Sequence, residues 1–373
     1  MRRAFIVAAA TLVACGGGGD GGDGNVHSYK AAATVGDFLA LTVNHDTNEI
    51  EYVNVSNGDE GTVSFTVLPD GGLEVTDPNG DLVLCYEMPG VAIACQGEEL
   101  GTGTGEPALL LGVLDEPLVQ TDLQGLGGVG FMQFRTQEGG IEIGHITFDE
   151  EGNASGNGYV PMNEVLPDEP TCYGQWKYGN LTMRTSEFAD NAALGCVEWT
   201  ETTSNGPETI RIFGTPGGNI MVDTPNGAVF TFLDAASTAF DPADAGTYSA
   251  LVYDKRVTWD DGTETTVSGP SIDLASVEID ASGNVTVTQD SETVFDSEQL
   301  LPFAGSNWQG TGKVVDPVPG LFYFMDGLDP VFVTFFEGAM AFATFHPIAD
   351  GDCNDVPAQY AYTYGIAVRV PDE

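Results

Sequence analysis

Short segments in which hydrophobic and polar residues alternate recur along almost the whole chain. In residues 62–67 the alternation places Val63, Phe65 and Val67 on one face, and residues 284–288 repeat it with valines. A period of two is typical of a β-strand with one buried face. Beyond the first residues we find no apolar stripe with helical spacing. The pattern therefore predicts an all-β, mostly antiparallel protein.

The same turn signals occur twice along the chain, in the same order. An Asn-Gly, a Gly-Gly and a Pro-Asn-Gly follow one another in residues 51–80 and again in residues 198–227. A Gly-Asn pair after a strand-like segment also recurs, at residues 152–153 and 283–284. This recurrence predicts an internal duplication. The alternative is that hairpin-rich proteins simply reuse these turns.

The duplication predicts two similar antiparallel lobes, one in residues 26–167 and one in residues 168–373. Each lobe is expected to be a β-barrel or a β-sandwich, because the strands are short and separated by turn residues. A β-propeller is the alternative, since each copy is long enough for about three blades of about 45 residues.

The densest hydrophobic stretch forms the last part of the second lobe. Residues 321–325, 331–336 and 339–345 are apolar and rich in phenylalanine. Neither face of the first run is polar, which favours a three-stranded meander buried on both faces. The alternative is that these aromatic residues line a pocket for a hydrophobic ligand.

The N-terminal segment has the layout of a signal peptide. Two arginines are followed by an apolar run in residues 4–13, then by Leu-Val-Ala-Cys ending at Cys15, and then by a Gly/Asp tract that reaches residue 24. This segment resembles the lipobox of bacterial lipoproteins. The resemblance implies removal of residues 1–14, acylation of Cys15 with fatty acids such as palmitate, and a flexible tether in residues 15–25. The expected location is the cell envelope, on the periplasmic face of the outer membrane or on the cell surface.

Charge restricts the partners. The chain has 11 basic and 56 acidic residues, a net charge of −45. Such a charge repels nucleic acid and anionic lipid headgroups, so nucleic-acid binding is excluded. The expected partners are the membrane, through the lipid anchor, and a protein or a small apolar ligand.

The six cysteines suit an oxidising compartment. Cys85 and Cys95 flank a turn at residues 88–90, and a hairpin there places them opposite each other. Cys172 and Cys196 are the next pair. Cys353 is either a free thiol or a replacement for one member of the second pair.

Signals for catalysis are weak. The four histidines have no metal-ligand spacing, and no serine lies in a nucleophile elbow. We therefore predict no catalytic residues, no metal site and no cofactor. Calcium is the one metal to consider, because residues 77–81, 149–153 and 350–355 cluster oxygen ligands. None of these loops matches an EF-hand, and the same residue types are favoured in β-turns.

The layout of a lipobox, a glycine-rich tether and two β-lobes resembles that of two-lobed surface lipoproteins such as the transferrin-binding lipoproteins. The resemblance favours a lipid-anchored envelope protein with a binding or structural role. The few histidines and lysines, four of each, predict that it has no intrinsic catalytic activity. The alternative is an envelope hydrolase that acts on a polysaccharide or a peptide.

Overall fold

The computed structural model describes most of the chain from residue 24 onward. The described residues are 24–76, 82–97, 107–124, 126–134, 141–162, 175–183, 188–203, 206–215, 219–225, 227–232, 239–260, 263–303, 306–307, 314–315, 318, 320–326, 329–336, 338–347 and 358–370. Within these ranges no helix is long and apolar enough to cross a membrane.

The first eight strands form a closed antiparallel barrel, in which β8 pairs with β1. The strands are β1 (Val26–Ala33), β2 (Phe38–Asn44), β3 (Glu49–Asn54), β4 (Glu60–Val67), β5 (Leu73–Thr76), β6 (Leu82–Met88), β7 (Ala92–Gly97) and β8 (Ala108–Leu114). Inward side chains fill the barrel, whereas the outer faces of β6, β7 and β8 pack against the rest of the molecule. Burial on both faces explains why these three strands are almost continuously apolar, while β3 and β4 alternate.

A second sheet contains nine antiparallel strands in the order β12-β11-β10-β9-β17-β16-β15-β14-β13. The strands are β9 (Gly127–Phe134), β10 (Ile141–Phe148), β11 (Ala154–Met162), β12 (Gln175–Met183), β13 (Ala189–Asn191), β14 (Cys196–Thr203), β15 (Gly206–Gly214), β16 (Ile220–Thr224) and β17 (Gly227–Phe232). A short 3-10 helix, Gln120–Leu123, precedes this sheet. The pairing of β9 with β17 joins segments that are far apart in sequence.

A third sheet follows a 3-10 helix at Pro242–Asp244, with the order β21-β20-β19-β18-β28-β27-β26-β25-β22. The strands are β18 (Gly246–Asp260), β19 (Thr263–Ile279), β20 (Asn284–Gln289), β21 (Glu292–Gln299), β22 (Leu301–Pro302), β25 (Phe322–Asp326), β26 (Asp329–Phe336), β27 (Ala339–Pro347) and β28 (Ala358–Arg369). Two short strands, β23 (Ser306–Asn307) and β24 (Val314–Val315), pair with each other. The predicted C-terminal meander corresponds to β25, β26 and β27, which pair consecutively.

One hydrophobic core joins the three sheets. The ring of Phe38 lies 5.3 Å from that of Phe213, which connects the barrel to the second sheet. Phe134 of the second sheet stacks at 4.7 Å on Tyr364 of the third sheet, and Tyr364 stacks at 4.5 Å on Tyr253. Aromatic contacts of this kind add to the stabilisation from burial. The sheets are therefore packed against one another through their outer faces.

The all-β class is confirmed, and the barrel is confirmed for the first eight strands. The division into lobes at residues 167 and 168 stays a prediction. That boundary lies between β11 and β12, which are neighbouring strands of the second sheet.

The recurring turns lie in hairpins of similar geometry. Asp149 and Asp280 each begin a turn in which the carboxylate accepts a hydrogen bond from the backbone N–H two residues later. The amide side chains of Asn153 and Asn284 donate to the same two carboxylates at 3.1 and 2.7 Å. In both turns the intervening glycine has a positive φ, of 83° and 80°. These matching contacts agree with the predicted duplication in this part of the chain.

The other pair of predicted turns connects strands that follow one another in the same order in the two copies. The turn at residues 56–58 joins β3 to β4, and the connection at residues 204–205 joins β14 to β15. Ser204 and Asn205 themselves lie outside the described residues. Four consecutive strands, β3 to β6 and β14 to β17, are thus linked as antiparallel neighbours in both copies.

Candidate functional site

An apolar cavity of ≈ 210 Å³ lies in the third sheet. The sheet curls so that β21 approaches β25, where the rings of Phe295 and Phe324 meet edge to face at 5.1 Å. Inward positions two residues apart supply most of the lining. The apolar lining includes Val277, Val287, Phe295, Phe324, Val333 and Phe342. The volume exceeds the ~150 Å³ of an engineered cavity that binds benzene, so one small apolar molecule fits.

Two threonines on neighbouring strands form a polar spot in the cavity wall. Thr344 of β27 and Thr363 of β28 face each other in the strand register, and both line the cavity. The Thr363 hydroxyl donates to Asp254 at 2.7 Å. The Thr344 hydroxyl is buried and has no hydrogen-bond partner among the described residues. An unsatisfied buried hydroxyl costs free energy, and a ligand with a hydrogen-bonding group would relieve that cost.

Two acidic side chains lie at the cavity. Asp254 accepts the hydrogen bond from Thr363 and lies 3.9 Å from Arg256, and the exposed Asp326 is part of the cavity lining. Among the described residues the cavity lining itself contains a carboxylate, Asp326, and no basic side chain, so a carboxylate ligand would meet like charge without a cation in the lining. The cavity is therefore suited to an uncharged apolar ligand with one hydrogen-bonding group.

The C-terminal aromatic residues have both of the roles that the sequence offered as alternatives. Phe324 is 3% exposed and Val333 is 2% exposed, so the run is core as predicted. The same two side chains line the cavity. Sequence periodicity places a side chain on a face, but it does not show whether the opposite wall is close enough to fill the space.

A second polar region is buried between the barrel and the second sheet. Lys30, only 3% exposed, pairs with Asp115 and donates to the carbonyl of Gly195 at 3.0 Å. Arg211 donates to Asp223 at 3.2 Å. Desolvation raises the pKa of Asp223 to about 8 despite this arginine. Lys30 thus connects the barrel to the second sheet, whereas Arg211 and Asp223 lie opposite each other on β15 and β16 within that sheet. These buried contacts indicate a structural role.

The predicted cysteine chemistry is reproduced in part. Cys85 and Cys95 oppose each other in β6 and β7 and form a disulfide with Cα atoms 4.0 Å apart, which confirms this bridge. Cys196 is a free, buried thiol among the described residues. Its predicted partner Cys172 lies outside them, so that bridge stays a prediction. The site of Cys196 is enclosed between the barrel and the second sheet, and burial raises its pKa to about 11. Such a thiol is inert at neutral pH.

Several predicted site residues lie outside the described residues. These are Cys15, Cys172 and Cys353, together with the acidic loops at residues 77–81 and 350–355. The third candidate calcium loop is described, and Asp149 uses both of its carboxylate oxygens for hydrogen bonds within the turn. The hydrogen bonds of this turn explain why Asp149 and Asn153 occur there.

The structure brings together two histidines whose sequence spacing gave no signal for a metal site. His27 and His45 lie beside Glu87 at one end of the barrel. The hairpin of β1 and β2 did contain a signal. Its register pairs His27 with Val43, and His45, two positions further along, is on the same face as Val43 and therefore as His27. Glu87 comes from β6, and no local pattern links it to the hairpin.

Comparison with known proteins yields only distant structural matches. No family profile matches the chain, and no curated protein sequence does. Transferrin-binding protein B of Haemophilus parasuis, crystallised as a double mutant, matches with 8% identity over 90% of this chain and 66% of its own, at a TM-score of 0.24. Transferrin-binding protein B of Neisseria meningitidis matches with 12% identity over 90% of this chain and 66% of its own, at a TM-score of 0.22.

A protein of unknown function from the DUF3598 family of Nostoc punctiforme matches with 10% identity over 93% of this chain and 95% of its own, at a TM-score of 0.21. The chain thus spans just under two thirds of the transferrin-binding structures it matches. Transferrin-binding protein B was the example suggested by the layout of the sequence, and it is among these matches. The TM-scores are too low for any function to be transferred to this chain.

Proposed function

We propose that the chain is a ligand-binding lipoprotein of the cell envelope, whose third sheet takes up a small uncharged apolar molecule. The observation that carries this proposal is the apolar cavity with the buried Thr344 hydroxyl in its wall, which has no hydrogen-bond partner in the part of the chain that the structure describes. Apolar walls with a few placed polar groups are typical of small-molecule sites. The anchor through Cys15 would keep this binding site at the membrane surface, where apolar molecules are concentrated.

The charge around the cavity defines the class of ligand. The Thr344 hydroxyl offers one donor and acceptor, while Asp254 and Asp326 disfavour a carboxylate. A medium-chain alcohol satisfies both requirements, because its hydroxyl can pair with Thr344 and its alkyl part can contact the apolar walls. The corresponding carboxylate has the same alkyl part and the wrong charge.

Binding can be tested by titrating 1-octanol and octanoate into protein that lacks residues 1–15, with calorimetry and NMR as readouts at neutral pH. We expect 1-octanol to bind at one site and octanoate to bind at least about tenfold more weakly, a difference of about 1.4 kcal/mol. Equal binding of the two compounds, or no saturable binding of 1-octanol, would contradict the proposal.

A matched pair of variants locates the site. Ala275 lines the cavity, and Leu274, its neighbour on β19, is 41% exposed on the outer face. Ala275→Phe fills the cavity and should abolish 1-octanol binding while the thermal unfolding midpoint is retained. Leu274→Phe adds a ring outside the cavity and should leave binding unchanged.

Thr344→Val keeps the shape of the side chain and removes its hydroxyl. We expect this variant to bind 1-octanol more weakly and to bind octane as the wild-type chain does.

The anchor is tested separately, because ligand binding and membrane attachment can fail independently. Cys15→Ser should release the protein from the membrane fraction, since acylation requires the thiol of this residue. Cys353→Ser is the matched control and should leave the protein in the membrane fraction. An unmodified Cys15 found by mass spectrometry in membrane-bound protein would contradict the anchor.

A further inference from the structure

Three potential metal ligands from three strand regions meet at one end of the barrel. His27 lies on β1, His45 directly follows β2, and Glu87 lies on β6. One ligand atom from each residue lies within 4.8 Å of the others. The hairpin register makes the two histidines diagonal neighbours, and their ring centres are 5.9 Å apart. The glutamate reaches them from the β6–β7 hairpin, which is not adjacent to β2.

One of the two histidine–carboxylate distances matches a tetrahedral metal site, and the other is that of a hydrogen bond to the second carboxylate oxygen. Zinc–nitrogen and zinc–oxygen bonds of about 2.0–2.1 Å place neighbouring ligand atoms about 3.3 Å apart. His27 Nδ1 and Glu87 Oε1 are 3.4 Å apart, whereas His45 Nε2 and Glu87 Oε2 are 2.7 Å apart. His45 would have to retreat by about 0.6 Å to reach that tetrahedral spacing. Its side chain is the most exposed of the three at 26% and lies beyond the end of β2, so it can move.

The cluster is built from buried groups. The Glu87 side chain is only 3% exposed and that of His27 is 13% exposed. His27 Nδ1 is buried and has no hydrogen-bond partner among the described residues, although it faces the carboxylate. A cation between the imidazole and the carboxylate would satisfy this nitrogen. At 3.4 Å the nitrogen is within ion-pair distance of the carboxylate but makes no hydrogen bond among the described residues, so a bound cation would improve its pairing.

A second layer of hydrogen bonds holds the carboxylate in place. The Tyr29 hydroxyl donates to Glu87 Oε1 at 2.5 Å, and the backbone N–H of Gly90 donates to the same hydroxyl at 2.9 Å. Tyr29 is 1% exposed, so its position is fixed by packing. Metal-binding carboxylates are typically oriented by such outer partners.

We propose that His27, His45 and Glu87 bind one Zn²⁺ ion, with a water molecule as the fourth ligand. Two imidazoles and one carboxylate are a donor set that suits zinc, whereas calcium and magnesium prefer oxygen ligands. The net charge of −45 raises the local concentration of cations. Bound zinc would connect β1, the end of β2 and β6 across the barrel. This site is separate from the cavity in the third sheet and does not depend on it.

The proposal can be tested on the full-length chain after treatment with EDTA, by calorimetric titration with Zn²⁺ and by thermal unfolding. We expect one zinc ion per chain and a rise in the unfolding midpoint, because a ligand that binds only the folded state stabilises it. Co²⁺ in place of zinc should give the intense visible absorption of a tetrahedral complex. Excess Ca²⁺ should not displace zinc.

Variants separate metal binding from a purely structural His–Glu contact. His45→Gln and Glu87→Gln should each weaken zinc binding at least about tenfold and abolish the Co²⁺ spectrum. Tyr29→Phe removes only the outer hydrogen bond and should weaken zinc binding by about 10–100-fold. Glu51→Gln alters an exposed carboxylate on β3 of the same barrel and should have no effect. Unfolding in EDTA and far-UV spectra establish that each variant is folded.

Three results would overturn the proposal. The first is a wild-type chain that does not bind zinc below millimolar concentration. The second is zinc binding that His45→Gln and Glu87→Gln leave unchanged. If His45→Gln lowers the unfolding midpoint in EDTA, and zinc does not raise the midpoint of the wild-type chain, the cluster is a hydrogen-bonded contact that only closes the barrel end.

Discussion

At the scale of single residues, the buried acids between the sheets make stability depend on pH. Asp223 is 1% exposed, and desolvation raises its pKa to about 8 from an ordinary 3.8, while Arg211 opposes the shift and Asp37 adds to it. Between these two values the folded chain holds a proton that the unfolded chain has released. The folded state therefore binds more protons, and the free energy of unfolding falls as the pH rises through this window.

Asp223→Asn imitates the protonated carboxyl and should flatten this pH dependence. We expect the free energy of unfolding of the wild-type chain to fall between pH 5 and pH 8 by more than that of the variant, as measured by urea denaturation at several pH values. Asp273→Asn, at an exposed position on β19, is the control and should keep the wild-type slope. Identical slopes for Asp223→Asn and the wild-type chain would show that Arg211 keeps Asp223 ionised throughout.

At the scale of elements, the two matching turns should contribute to stability in the same way. Hydrogen bonds from Asn153 and Asn284 lower the pKa of Asp149 and Asp280 respectively. A carboxyl with a lowered pKa stabilises the fold above its unfolded pKa, and this contribution is lost as the pH falls through the folded pKa. Asp149→Ala and Asp280→Ala should each lower the thermal unfolding midpoint at pH 7, and less so at pH 3. A change in only one of them would argue against equivalent turns.

Local patterns predicted the elements well because strand alternation and turn chemistry act over a few residues. The disulfide between Cys85 and Cys95 followed from a single hairpin, and so did the turns that begin at Asp149 and Asp280. The pairing of Cys196 with Cys172 stays a prediction, because sequence proximity carries no information about which sheet surrounds a thiol and Cys172 lies outside the described residues. The sequence left the cavity as an alternative to a filled core, because Phe324 satisfies the pattern of a core residue whether or not the opposite wall touches it.

Long-range placement explains the rest of what the sequence did not show. The pairing of β9 with β17 joins residues 127–134 to residues 227–232, and no periodic signal specifies it. Glu87 reaches His27 and His45 from a strand that is not their neighbour. Only closure of the barrel brings these three side chains together, so single-sequence spacing rules for metal sites could not detect them.

At the scale of the whole molecule, the three sheets depend on close contacts between their outer faces and turns. Gly36, in the turn between β1 and β2, has a φ of 90°, and a Cβ atom there would lie 2.1 Å from the carbonyl oxygen of Pro225. Pro225 lies in the turn between β16 and β17 of the second sheet. The barrel and the second sheet therefore approach each other so closely at this point that only glycine fits.

Gly36→Ala tests whether this approach stabilises the molecule, and Gly58→Ala is its matched control. Gly58 has a similar φ of 83°, but a Cβ atom there would have no neighbour within 4 Å. Both variants carry backbone strain of about 1–3 kcal/mol. Gly36→Ala adds a steric overlap that forces the two turns apart, for which we expect about 1–3 kcal/mol more. Urea denaturation should show a larger loss in the free energy of unfolding for Gly36→Ala than for Gly58→Ala. Equal losses would mean that the barrel and the second sheet can move apart at this contact without a cost in stability.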